Sequence, residues 1–147
     1  MWICCVLSAC SIAAGHGAPS PTPVAAGPVA SNISVLRSMG LVATTRITAR
    51  GPDGTALYVY RSVCRGSADG HCQAVDAFRP GRRTPVWHHQ YLQVVSIRPT
   101  RGGFSVTADR YRPQDPLCCP SLPPSTETFL WRGGALHALT RPAHVRT

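Results

Sequence analysis

Thiols and imidazoles carry most of the reactive chemistry in this chain, with seven cysteines and six histidines among 147 residues. Cys4, Cys5 and Cys10 fall in the first ten residues, while Cys64, Cys72, Cys118 and Cys119 lie in the body. An even set in a small domain favours disulfides if the chain is exported, and metal or free thiols if it stays in the cytosol. Four oxidised cysteines allow three pairings. Adjacent Cα atoms sit about 3.8 Å apart, below the usual disulfide range of about 4.4–6.8 Å, so a Cys118–Cys119 bond needs distorted geometry. The crossed pairings, Cys64 and Cys72 each to one of Cys118 and Cys119, close loops on the order of 50 residues, for roughly 4 kcal/mol each in the chain-entropy model. The local Cys64–Cys72 loop gives only about 2.6 kcal/mol. The expectation is therefore the crossed pairing, tying the Gly-rich loop after Tyr60 to a proline-rich loop at 111–125.

Metal binding is the sharper use of the same residues. Cys64, His71, Cys72, His88, His89, Cys118 and Cys119 are suitable zinc or copper donors. Their spacing matches no zinc knuckle, because an eight-residue step and an adjacent pair replace two C-x2-C arms. No resident metal or other cofactor is expected. His88 and His89 read as a strand end with one ring packed and one wet. No G-x-S-x-G, H-E-x-x-H or G-x-x-x-x-G-K-[ST] occurs, and the six acidic residues are scattered, so no catalytic role is expected. Asp115, before Pro116, reads as a cap on the loop backbone and is the best single polar candidate for binding. Trp87 and Trp131 read as core or core-edge aromatics, with a carbohydrate-stacking platform as their functional alternative.

The front of the chain bears on compartment. Residues Trp2 to Ala9 are apolar and small, suit the end of a signal h-region, and are too few to span a bilayer, which needs about 20. Leu7-Ser8-Ala9-Cys10 resembles the bacterial lipobox, in which the cysteine is lipidated and becomes the mature N-terminus. The alternative is cleavage without lipidation near the Ala-rich stretch, which gives a secreted protein. Since no positive n-region precedes the apolar run, the true start is expected upstream of Met1. Residues 11–30 form an Ala/Pro/Gly-rich linker without charge, with a mean reach on the order of 25 Å. A single domain follows over residues 31–141, then a tail at 142–147.

All fifteen basic residues are arginine, a pattern that high-GC coding bias produces without selection for guanidinium chemistry. The net charge of +9 still attracts polyanions, so anionic lipid or a cell-wall polymer is a candidate partner. No specific nucleic acid partner is expected. A domain of roughly 110 residues excludes a two-lobed solute-binding protein.

Positioning these residues falls to a mostly β fold. Ser31 to Met39 reads as one short helix, capped by Ser31 or Asn32, with Ile33, Leu36 and Met39 on one face and Gly40 as its left-handed stop. Strands are expected at 44–49, 55–62, 73–78, 84–88, 91–97, 104–111, 126–131 and 135–140, separated by Gly- and Pro-bearing turns. Leu57 and Val59 should face one way and Tyr58 and Tyr60 the other, while Phe104, Val106 and Ala108 form an inward set. Five prolines (Pro113, Pro116, Pro120, Pro123, Pro124) bar the 111–125 loop from being helix or central strand. The fold class is α+β, mostly β, an antiparallel meander of seven or eight short strands with one N-terminal helix.

The C-terminal half resembles the LppP/LprE-type lipoproteins of actinobacteria. The match is carried by Tyr111, Asp115, Pro116, the Cys118-Cys119-Pro120-Ser121 run and the Thr128–Leu136 hairpin TFLWRGGAL. It covers about a third of the chain well and two thirds loosely. The resemblance implies an exported, lipid-anchored envelope protein and supplies no catalytic residues. The function expected is non-enzymatic binding or scaffolding at the outer face of the cytoplasmic membrane. Its alternative is a metal-binding or thiol-redox protein using Cys118 and Cys119 with Cys64 and Cys72.

Overall fold

The computed structural model describes residues 27–139, so Cys10, the rest of the expected leader, most of the expected linker and the expected tail lie outside the described residues. One helix, α1 (Pro28–Ser38), precedes eight strands: β1 (Leu41–Arg50), β2 (Ala56–Cys64), β3 (Gln73–Phe78), β4 (Trp87–Tyr91), β5 (Val94–Thr100), β6 (Gly103–Arg110), β7 (Leu122–Arg132) and β8 (Ala135–Ala138). They form two four-stranded antiparallel sheets, ordered β1-β2-β3-β4 and β5-β6-β7-β8. The α+β, mostly β class holds, and the meander divides between β4 and β5 into two layers.

Alternation along the strands explains the layering. Ala49, Leu57, Val59, Val75 and Ala77 from the first sheet meet Val94, Ile97, Phe104, Val106, Phe129 and Trp131 from the second in one core. The opposite face of the first sheet carries Tyr60, Ala74 and Phe78, and α1 covers it through Leu36. β3 is consequently buried on both faces at all six residues. Tyr58 and Tyr60 do face away from Leu57 and Val59, and Phe104, Val106 and Ala108 are all buried.

Several element boundaries differ from expectation, most of all those of α1, β1, β4, β5 and β7. The helix begins three residues earlier, at Pro28 behind Gly27, because proline's missing N–H and fixed φ suit a first helical turn. Asn32 is therefore no cap; it lies inside the helix, buried, with Nδ2 donating to Tyr60 Oη at 3.4 Å. Met39 leaves the packed face and is exposed, as the residue ending the helix before Gly40 at φ 76°. The fourth and fifth strands shift toward the C-terminus, leaving Thr84 and Pro85 in the loop and placing Pro99 in edge strand β5. β7 starts at Leu122 and runs through Pro123 and Pro124. Both sit where the β6–β7 register slips between Ala108 and Arg110, and β8 pairs only from Phe129 onward, so no ladder bond requires their missing N–H groups.

Candidate functional site

The 111–121 segment is pinned by Asp115. Its Oδ2 accepts from the backbone N–H of Arg112 at 2.7 Å, the N–H of Ser121 at 2.9 Å and the Ser121 hydroxyl at 2.8 Å. These bonds, led by that from the Arg112 N–H, hold its carboxyl below the ordinary carboxylate value. Two backbone turns tighten the loop, from Asp115 N–H to the Arg112 carbonyl and from Cys119 N–H to the Pro116 carbonyl. Asp115 thus spends one oxygen on the loop's own backbone, as its place before a proline suggested.

At the crest of this loop Cys118 and Cys119 are both exposed and free. The Cys118 thiol beside Cys119, with some burial, pushes the Cys119 thiol above its usual value. The loop therefore presents two adjacent thiols, of which Cys119 is held toward its protonated form.

The crossed disulfides are overturned. Cys64 bonds Cys72 with Cα atoms 5.3 Å apart. The β2–β3 register sets Val63 opposite Gln73, so the next step outward brings Cys64 and Cys72 together, sealed by a Cys64 N–H to Cys72 carbonyl bond of 2.8 Å. Cys118 and Cys119 follow β6, in the other sheet. Loop-closure entropy favoured the longer links, but strand register decides which sulfurs meet. A four-cysteine centre is overturned by the same bond, and among the described residues no three His, Cys, Asp or Glu side chains converge on a point that could hold a metal ion.

Neither tryptophan offers an open platform. Trp131 is 1% exposed, with its indole N–H reaching Asp53 Oδ2 at 3.3 Å and Arg79 Cζ 5.4 Å from its ring centre. Trp87 packs against Phe104 and Phe129, at 5.6 and 4.5 Å between ring centres. Trp131 is a core aromatic and half-buried Trp87, on edge strand β4, a core-edge one, and the stacking alternative for Trp131 is excluded by its burial.

Sequence reasoning passed over one further pair. Asp76, wholly buried in β3, lies 2.7 Å from His88 Nδ1 across the β3–β4 ladder. Burial pushes the Asp76 carboxyl above its ordinary value, and the hydrogen bond and charge of His88 oppose the shift. Its other oxygen and the Ser62 hydroxyl are buried without partners. The ladder sets Ser62 opposite Ala74 and Tyr60 opposite Asp76, so serine, histidine and aspartate are not in line for a relay. An acid inside the otherwise apolar run AVDAF was the available signal.

No protein-family model, curated protein or solved structure matches this chain.

Proposed function

We propose that this chain is an exported, membrane-anchored lipoprotein of the LppP/LprE type, whose β-rich domain binds or scaffolds in the cell envelope without catalysing a reaction. The observation that carries this reading is the Cys64–Cys72 bridge, taken together with Leu7-Ser8-Ala9-Cys10 at the front of the chain. Structural disulfides persist in oxidising compartments and are scarce in the cytosol. The uncharged segment after Cys10 is long enough to hold the domain clear of a membrane surface. Fatty-acid labelling of the wild type against Cys10→Ala tests the anchor. Label should enter only the wild type, and equal labelling of both removes the anchor from the account.

A second reading has its own observation, the exposed and adjacent thiols of Cys118 and Cys119 on a loop stiffened by prolines. A dithiol so placed can exchange with a partner's disulfide: one S–S bond forms between the two cysteines while the partner's opens, and the two hydrogens end on the partner's thiols. Thiol counting before and after reductant, with metal analysis, separates the readings. Two thiols that appear and disappear with the redox buffer while Cys64–Cys72 stays closed, or bound zinc or copper, favour the second.

A further inference from the structure

The turns that follow β1, β3, β5 and β7 gather at one end of the sandwich. Arg50 and Arg101 form a parallel backbone bridge, Trp131 N–H bonds the Gly102 carbonyl at 2.9 Å, and Asp53 and Arg79 both reach Trp131. That end carries Arg50, Arg79, Arg82, Arg83, Arg101 and Arg132 against a single carboxylate, Asp53. Asp53 is already engaged, with Oδ1 taking the Thr55 N–H at 2.9 Å and Oδ2 the Trp131 indole. The opposite end carries Arg37, Arg65, Arg110 and Arg112 against Asp69, Asp109 and Asp115, and so comes within one charge of balance. Among the described residues no arginine lies within salt-bridge distance of a carboxylate. Coding bias explains arginine in place of lysine; it does not explain why the acids leave one end.

Packing so many unneutralised guanidinium groups together opposes the folded state unless an anion offsets them. Two clefts, each of about 410 Å³, share Leu130 and Arg132: one opens at this end, and the other runs from it along β7 and β8 as far as Leu139, level with Thr128. One adds Pro52, Arg101 and Gly102; the other adds Gly133, His137 and Leu139. Each sets Arg132 beside apolar side chains, and Leu139 is 58% exposed. A soluble polyanion would use the arginines and leave Leu130 idle. A base-stacking polymer would want an open aromatic, and the tryptophan here is buried.

We infer that the Arg101–Arg132 end of the sandwich binds the phosphate headgroups of an anionic lipid surface, with Leu130, level with Gly103 at the same end, meeting the apolar boundary between them. The inference rests on the binding-domain reading above and names its ligand. It does not depend on the anchor.

The test uses the full chain carrying Cys10→Ala, so that no acyl chain contributes, in sedimentation with phosphatidylglycerol-containing vesicles and with pure phosphatidylcholine vesicles. Binding to the anionic vesicles alone is expected, and it should collapse between low salt and about 0.5 M salt. R101Q/R132Q should weaken it by on the order of tenfold or more, whereas R65Q/R112Q, with the same loss of charge at the opposite end, should leave it nearly unchanged. All four arginines lie on exposed positions, and coincident thermal melts verify that the variants fold. No binding to anionic vesicles, or equal weakening by both double variants, overturns the inference. Displacement by inorganic polyphosphate at the phosphate concentration of the vesicles themselves would assign the site to a soluble phosphate polymer, and overturns the lipid assignment. Because lipidation plays no part in this assay, its failure leaves the Cys10 labelling result intact, and the reverse holds as well.

Discussion

At the scale of single residues, two polar groups do opposite things. Asp115 is a carboxylate held down by hydrogen bonds, and its folded-state value lies below the ordinary 3.8. Its contribution to loop order is therefore fully present above that ordinary value and is lost as pH falls through the depressed one. Asp115→Asn should make the Arg112 and Ser121 amides exchange faster at neutral pH, with the difference from wild type shrinking below about pH 4. Amide hydrogen exchange resolved by residue checks this, and equal protection in both proteins at neutral pH would contradict it. Asp76 is a carboxylate pushed up by burial, and the sign reverses: its ionisation costs stability as pH rises through its shifted value, an effect that His88 moderates. Among the sulfurs, Cys64→Ser should lower stability by roughly 2.6 kcal/mol in the chain-entropy account of its short loop, read from denaturant midpoints at constant slope. Cys118→Ser should leave the midpoint within about 0.5 kcal/mol, since an exposed side chain outside the core is replaced by one of similar size. The cap at Asp115 was legible from its position before a proline. The sulfur pairing was not, because it follows from a cross-strand register that spacing alone does not set.

At the scale of elements, the turn glycines and alternating faces made β1, β2, β3 and β6 legible to within a few residues. β4 and β5 slid because Trp87–Tyr91 and its flanks lack clean alternation: His88, His89 and Gln90 are all exposed at the sheet edge. β7 was read short because prolines normally mark a strand's end, whereas here an edge and a register slip tolerate them. Neighbouring glycines likewise look alike in sequence and differ in role. Gly102 supplies a turn at φ 83°, while Gly103 lies where β6 crosses so close to β7 that an added Cβ would overlap the Phe129 carbonyl. Gly103→Ala should therefore cost about 1–3 kcal/mol or more and loosen the β6–β7 ladder, visible as a lower melting temperature and faster exchange at Leu130. A melting temperature equal to wild type would mean the strands have more room than this.

At the scale of the whole molecule, the meander decides two things that no short stretch reveals. It folds the chain into two facing sheets, and it sends alternate turns to the same end, which is how arginines spread from residue 50 to residue 132 come to share one surface. Sequence charge alone predicted attraction to anions; topology turns that into a sided molecule. The same topology attaches the Cys118–Cys119 loop to the second sheet and the bridge to the first, leaving one closed disulfide and one open thiol pair. Compartment, stability and the choice between a binding and a redox role all turn on that division of the sulfurs. Peptide mapping under non-reducing conditions, on protein recovered from its native cell with free thiols blocked at lysis, reads it directly. The account predicts a Cys64 peptide joined to a Cys72 peptide. A Cys64 peptide joined to Cys118 or Cys119, or all four body thiols recovered in blocked form, would contradict it.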